Sequence, residues 1–114
     1  MNIDPKTYLQ QWADRYRQDL TENIMPFWMK HGVDHVNGGV YTCLNRDGSL
    51  MDTTKSVWFQ GRFAYICAYA YNHIERNREW LEASKSTIDF IEAHCFVFLC
   101  NSRRNASTQT AICV

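Results

Sequence analysis

The chain has 114 residues, with twelve basic and twelve acidic side chains and a formal net charge of zero. A neutral chain has no field that could collect nucleic acid or anionic lipid, so a polyanion partner is not expected. No apolar run approaches the ~20 residues of a membrane-spanning helix, and the N-terminus lacks the basic and apolar regions of a secretory signal. We therefore expect a cytoplasmic protein with one core and no membrane partner.

The cysteines are informative by their number and spacing. There are five, an odd number, and none forms a Cys-x-x-Cys pair. This pattern argues against both a disulfide framework and a zinc knuckle. We expect reduced thiols that pack as small hydrophobic side chains.

The first predicted element is a long amphipathic helix. Asp4 and Pro5 provide an N-cap acceptor and a proline in the first turn. Apolar residues then recur at three- and four-residue steps and predict one buried stripe, formed by Tyr8, Leu9, Trp12, Tyr16, Leu20, Ile24 and Phe27. Pro26 would clash with the carbonyl of Glu22, so the helix should kink or end near Met25.

A loop rich in turn-forming residues follows, over residues 31–39. His31, Asp34 and His35 could be drawn as metal ligands. However, Gly32 breaks the helix on which a His-x3-His pair would lie, and no third ligand follows at a familiar spacing. We therefore expect no metal site, and we expect Asp34 to cap the loop.

The next segment is typical of a short β-hairpin. Residues 40–44 have strand propensity, and Asn45-Arg46-Asp47-Gly48 is a strong turn signal. A hairpin near residues 40–51 is predicted, projecting from a helical body.

Two more helices complete the predicted elements. The second runs from about Ser56 to His73 and has no clearly polar face, which is typical of an interior helix. The third runs from about Glu79 to Cys95, and its predicted apolar stripe comprises Trp80, Leu81, Ser84, Ile88, Ile91 and Cys95. An all-apolar helix followed by an amphipathic one indicates concentric layers of helices, hence an all-α fold.

Arg62 is the candidate functional residue. It shares a helical face with Trp58, and an arginine in so apolar a helix needs a partner. Its planar guanidinium could donate to the oxygens of a polar ligand while the Trp58 ring stacks on it. It could equally pair with a carboxylate elsewhere in the fold.

The spacing of many residues resembles a known family. The matched positions are Phe27-Trp28-Met29, His31, Asp34, Gly38-Gly39, Tyr41-Thr42-Cys43-Leu44, Arg46, Gly48, Asp52, Lys55, Val57-Trp58 and Gln60-Gly61-Arg62. This pattern resembles the N-terminal part of N-acylglucosamine 2-epimerases, and the resemblance covers roughly residues 5–95. Cellobiose 2-epimerases and aldose-ketose isomerases of the same superfamily share the Gly-Gly pair and the Trp-x-x-x-Arg element more loosely.

The resemblance implies a fold and an activity. The fold would be an (α/α)6 barrel, of which this chain holds about three helices and the hairpin. The activity would be interconversion of N-acetyl-D-glucosamine and N-acetyl-D-mannosamine, by removal of the C2 proton by one histidine and reprotonation by another. The matching Arg62 would be catalytic and substrate-binding, stabilising the oxyanion, and Trp58 would lie in the sugar pocket. Family members are homodimers that require no cofactor and are stimulated by ATP.

The C-terminal residues depart from the family. The two catalytic histidines of the family lie beyond residue 114, and none of His31, His35, His73 or His94 occupies a matching position. Residues 96–114 resemble no part of the family, and we expect them to be disordered or the product of a shifted reading frame. The chain is thus expected to be an inactive N-terminal fragment.

Other readings remain open. One is a non-catalytic helical module that binds a partner through an exposed helix face. Another is a different glycan-active (α/α)6 enzyme, such as a cellobiose 2-epimerase or a glycoside hydrolase. The hydrolase would need two carboxylates beside a cleft, and Asp47 and Asp52 are the loop pair that the sequence offers.

Overall fold

A computed structural model describes residues 2–96 and the backbone of a short strand at residues 112–113. The elements in chain order are helix α1 (Pro5–Asp19), a π-helical segment (Leu20–Ile24), helix α2 (Met25–His31), strands β1 (Cys43–Leu44), β2 (Leu50–Asp52) and β3 (Lys55–Ser56), helices α3 (Val57–His73) and α4 (Arg78–His94), and strand β4 (Ile112–Cys113). Three helical runs and a hairpin near residues 40–51 were predicted, and both are confirmed. The predictions of disorder or a shifted frame fall largely on residues 97–111 and 114, which lie outside the described residues.

The N-terminal helical run changes its winding before Pro26. Asp4 caps α1 by accepting a hydrogen bond from the Thr7 backbone N–H at 3.2 Å. Pro26 has no N–H to donate to the carbonyl one turn earlier. The π-helical segment changes the hydrogen-bond register of the helix just before this proline. The helix therefore does not end near Met25, because its winding changes over Leu20–Ile24 and the helical run continues to His31.

The stripe predicted on α1 is not buried. None of the residues of α1 is buried within the described part of the chain, and Leu9 and Tyr16 are 67% and 65% exposed. Arg17 ties the helix to the body by donating to the Ile74 carbonyl at 3.0 Å. The periodicity predicted the helix correctly, but the predicted stripe meets the core only beyond α1, where Leu20 packs against it.

The predicted hairpin forms from β1 and β2, which pair antiparallel. The Asn45 backbone N–H donates to the Ser49 carbonyl at 2.8 Å and closes the turn. Gly48 has a φ of +91°, and a Cβ there would lie 2.5 Å from the His31 ring. The turn therefore packs on the end of α2, and only glycine fits at that point. A second antiparallel pair joins β3 and β4.

The core lies where α3 and α4 pack against each other and against α2. Its buried members are Met25, Met29, Cys67, Ala70, Trp80 and Ala83. Ser84 on α4 donates a hydrogen bond to the Ala64 carbonyl of α3 at 2.8 Å, which holds the two helices in register. The small side chains of α3 allow α4 to approach it closely.

The outer faces of α3 and α4 differ from their predictions. One side of α3 is buried, but the opposite side exposes Trp58, Tyr65, Ile66 and Tyr69. On α4 the buried residues are Trp80, Ala83, Ser84, Thr87 and Phe90. Leu81 and Ile88, predicted to be buried, are each 42% exposed. The buried stripe of α4 is therefore rotated from the predicted one, because Ala83, Thr87 and Phe90 face α3 and the loop.

Two further observations concern the chain as a whole. No helix in the described part is both long and apolar enough to cross a membrane. Cys95 is disulfide-bonded, so the expectation that all five thiols are reduced is wrong for this residue.

Candidate functional site

The loop between α2 and β1 is built around the carboxylate of Asp34. This side chain is buried and accepts hydrogen bonds from the backbone N–H groups of Val36 and Asn37, each at 3.0 Å. The Asn37 side-chain amide adds a third at 3.3 Å. The predicted loop-capping role of Asp34 is confirmed.

Lys55 joins this loop to the start of α3. Its Nζ lies 2.5 Å from Asp34 Oδ2 and donates to the Gly38 carbonyl at 2.8 Å. The ammonium also lies over the rings of Tyr41 and Phe90, at 5.0 and 4.8 Å from their centroids. The ion pair is buried, with 6% and 1% of the two side chains exposed. The pair borders an open depression of about 430 Å³, whose lining residues are Asp34, Asn37, Tyr41, Thr53, Thr54, Lys55, Phe90 and His94.

Gln60 makes a second connection to the same loop. Its side-chain oxygen accepts from the Val40 N–H at 2.8 Å, and its side-chain nitrogen donates to the Val40 carbonyl at 2.7 Å. Gly39 has a φ of +76°, and a Cβ there would lie 2.7 Å from the Gln60 oxygen and 3.0 Å from the Phe90 ring. The second glycine of the Gly-Gly pair thus allows the loop to approach α3 closely.

The pKa values of Asp34 and Tyr41 are shifted where this loop meets the start of α3. Burial alone raises the pKa of Asp34, but hydrogen bonds from Asn37, Lys55 and Val36 outweigh it and hold that pKa far below the ordinary value of 3.8. Burial, followed by the nearby Asp34 carboxylate, raises the pKa of Tyr41. Asp34 therefore stays ionised and Tyr41 stays neutral near pH 7.

Trp58 and Arg62 lie on the opposite side of α3, which is exposed. The Arg62 Cζ lies 4.2 Å from the centroid of the Trp58 ring. Both side chains line an open depression of about 490 Å³, together with Val57, Gly61, Tyr65 and Ile66. Among the described residues no carboxylate forms an ion pair with Arg62. Within the described part of the chain, the alternative that Arg62 pairs with a carboxylate is therefore not realised.

This arrangement can bind a polar ligand. The Trp58 ring lies against the guanidinium, and both groups line the depression, where guanidinium N–H donors can bind a ligand oxygen. An aromatic plane beside such donors suits a sugar, whose ring has apolar faces and hydroxyl edges. A fixed cation also stabilises an oxyanion that develops next to it.

The other candidate residues lie elsewhere. The His31 ring packs on Phe27 at 5.0 Å, and the His73 and His94 rings pack on Tyr69 and Phe90 at 4.4 and 4.6 Å, as ring centroid distances. His35 is exposed. None of the four histidines lines the Trp58–Arg62 depression. Within the described residues no three His, Cys, Asp or Glu side chains converge as metal ligands.

The two aspartates considered for glycoside hydrolysis serve turns. Asp47 accepts from the Ser49 N–H and hydroxyl at 3.0 and 2.6 Å, and Asp52 accepts from the Thr54 N–H at 2.8 Å. These hydrogen bonds lower the pKa of both carboxyls. A general acid requires a raised pKa, so neither aspartate is suited to that role.

The structural roles of Lys55 and Gln60 were not predicted. Both were recognised only as matched positions of the family pattern. A lysine before an apolar helix and a glutamine within it were available signals, because such polar residues are rarely buried without partners. Their partners lie some twenty residues away, at separations of 21 for Asp34 and 20 for Val40, which local patterns do not reveal.

Comparison with known proteins shows what the chain is similar to. No family model matches the chain. The N-acylglucosamine 2-epimerase of Rattus norvegicus is 40% identical over 91 residues, which is 78% of this chain and 22% of the relative. The Homo sapiens protein of the same name is 39% identical over 85 residues, and the cellobiose 2-epimerase of Eubacterium cellulosolvens is 30% identical over 86 residues.

A solved structure agrees with these relatives. A sugar epimerase from a ruminal bacterium superimposes with a TM-score of 0.63 at 32% identity, covering 71% of this chain and 21% of that one. The likeness is consistent with the all-helical body being part of an α/α barrel. The chain thus spans only 20–22% of the length of the curated relatives it matches. Over the aligned residues, the chain is similar to sugar 2-epimerases, both in sequence and in structure.

Proposed function

We propose that this chain carries the sugar-binding arginine element of a 2-epimerase that interconverts N-acetyl-D-glucosamine and N-acetyl-D-mannosamine. The observation that supports the proposal is the Arg62 guanidinium stacked on Trp58 at 4.2 Å on an exposed helix face. Both residues occupy the positions that the family pattern assigns to the sugar pocket.

The chemistry follows from the acidity of the sugar. Once the ring opens, the proton on C2 lies next to a carbonyl and is weakly acidic, and its removal places negative charge on the carbonyl oxygen. Arg62 would donate to that oxygen and stabilise the developing enediolate, while Trp58 would hold the sugar chain against the guanidinium.

Proton transfer requires groups that this part of the chain does not bring to Arg62. His73 is on the same helix but eleven residues further on, a distance of about 16 Å along the axis. The other histidines are held by aromatic rings or lie on the loop. We therefore propose that the chain by itself binds the sugar without catalysing its epimerisation. Epimerisation would need the histidines of a longer polypeptide.

Binding can be tested by saturation-transfer NMR with N-acetyl-D-glucosamine on the purified chain. Arg62→Met, which keeps the length of the side chain but removes the donors, should abolish most of the transfer. Arg78→Met is a matched control, because Arg78 is an exposed arginine paired with Glu82 at 3.0 Å. Equal transfer in the two variants, or none in the unaltered chain, would refute sugar binding at Arg62.

Turnover is measured separately, by deuterium incorporation at C2 in D₂O. The expected result for the chain alone is no incorporation. Incorporation above the uncatalysed background would show that the chain contains its own acid–base groups.

A second candidate is a non-catalytic helical module. Its support is the exposure of apolar side chains on both α1 and α3, including Leu9 and Tyr65. Light scattering after size-exclusion chromatography distinguishes the two, since an independent module should be monodisperse and a barrel fragment should aggregate.

The resemblance supports further proposals about a longer protein. It would be a cytoplasmic homodimer, would need no cofactor, and would respond to ATP as an activator. Each of these proposals rests on the family resemblance.

A further inference from the structure

Lys55 and Asp34 form a buried ion pair whose presence stability alone does not explain. Two charges removed from water lose hydration, and replacing such a pair with apolar side chains is often neutral or stabilising. This pair nevertheless has 6% and 1% of its side chains exposed. The Lys55 ammonium is further engaged by the Gly38 carbonyl and by the rings of Tyr41 and Phe90.

The position of Lys55 in the chain gives the ion pair a geometric consequence. Lys55 lies in β3, immediately before α3 begins at Val57. Gln60, in the first turns of α3, holds the same loop through Val40. Lys55 and Gln60 lie five residues apart and bind the same loop. Together they fix the position of the first turns of α3 along the helix axis and their rotation about that axis.

Trp58 and Arg62 depend on that rotation. Each is two residues from Gln60, which is about 200° around the helix at 3.6 residues per turn. This agrees with Gln60 being fully buried while Trp58 is 66% exposed. Since no described carboxylate pairs with Arg62, its direction is determined by the helix and by the Trp58 ring.

We propose that Lys55, held by Asp34, is a positioning residue that sets the orientation of the Trp58–Arg62 pair toward the sugar. The inference rests on the proposed function for its sugar, but the geometry it predicts can be measured without one. Loss of the Lys55 anchor should let the first turn of α3, which carries Trp58, fray away from the following turn, which carries Arg62, and this separates the guanidinium from the indole.

The direct readout is the chemical shift of the Arg62 δ-methylene protons in the isotopically labelled chain. The δ-carbon is joined through Nε to the Arg62 Cζ, which lies 4.2 Å from the centroid of the Trp58 ring, so we expect the ring current to displace the resonances of these protons upfield. Trp58→Leu defines the shift without the ring. We expect Lys55→Met to lose at least about half of the displacement, and Asp34→Asn to lose a smaller part because the amide still accepts a hydrogen bond.

Two controls separate positioning from general loss of stability. Lys85→Met removes a lysine from an exposed ion pair with Asp89 and should leave the shift unchanged. Ser84→Ala removes a buried hydrogen bond to the Ala64 carbonyl, which lowers stability without touching the anchor, and should also leave the Arg62 shift in place. The buried Trp80 indole reports that the α3–α4 core is still folded.

Each result of these measurements either supports or overturns the positioning role of Lys55. An unchanged Arg62 shift in Lys55→Met, or no upfield displacement in the unaltered chain, overturns the inference. Unfolding of both Lys55→Met and Asp34→Asn also overturns it, in favour of a role in folding alone. If the shift depends on Lys55 but N-acetyl-D-glucosamine does not bind the unaltered chain, the positioning role stands and the proposed function fails. If the sugar binds and Lys55→Met changes neither the Arg62 shift nor the binding, the proposed function stands and the positioning role fails.

Discussion

The side-chain amide of Gln60 takes both backbone hydrogen bonds of Val40, one as acceptor at 2.8 Å and one as donor at 2.7 Å. Both residues are fully buried. A helix side chain thereby acts toward the loop as a neighbouring strand would, while the other edge of the loop is paired by an antiparallel bridge between Val33 and Val40.

Gln60→Leu should destabilise the chain by about 2–4 kcal/mol, because a leucine leaves the buried Val40 N–H and carbonyl without partners. Urea unfolding measures the difference. Gln10→Leu is the matched control, since Gln10 on α1 is exposed and bonds only to Asp14, and it should change stability by less than about 0.5 kcal/mol. Similar unfolding midpoints for the two variants would contradict the buried hydrogen-bond pair.

Gly39→Ala should be severely destabilising. The residue has a φ of +76°, and the new methyl group would lie 2.7 Å from the Gln60 oxygen and 3.0 Å from the Phe90 ring. Gly61→Ala is the comparison, because a Cβ at Gly61 meets nothing within 4 Å and alanine favours a helix by up to about 1 kcal/mol. Thermal unfolding should therefore move in opposite directions for the two variants. A tolerated alanine at Gly39 would show that the loop does not lie this close to α3.

Stability should fall in acid in a way that depends on Asp34. Its folded-state pKa is held below the ordinary value of 3.8, so its contribution is complete above about pH 5 and is lost as the pH falls toward the folded-state pKa. Asp47 and Asp52 also have lowered pKa values, so the unaltered chain alone does not isolate the effect. The stability difference between the unaltered chain and Asp34→Asn should therefore shrink between about pH 4 and pH 2. A difference that stays constant over this range would exclude Asp34 as the source.

Cys67 should resist alkylation in the folded chain. It is fully buried, and burial raises the pKa of its thiol to about 12, so almost no reactive thiolate is present at pH 8. Cys43 is partly exposed and should react faster. Peptide mass mapping after brief iodoacetamide treatment compares the two sites, with urea-unfolded chain as the control in which both react. Equal labelling rates before unfolding would mean that α3 does not pack on the core as described.

The helices and the hairpin were predictable because their signals are local. Apolar spacing, the Asp4–Pro5 start and the turn before Ser49 each act over a few residues, and the Trp58-x-x-x-Arg62 spacing places two side chains on one helix face. The resemblance to a sugar epimerase family also depended only on residue types at fixed spacing.

Which apolar faces are covered was decided only by the tertiary structure. The periodicity of α1 is that of a buried stripe, yet the described chain leaves it exposed, because burial requires a second element that the periodicity does not contain. Likewise, Lys55 and Gln60 are polar residues in an apolar segment until the fold brings Asp34 and Val40 to them. Local sequence determines how a segment winds, whereas the partners of its side chains depend on contacts between residues that are distant in the chain.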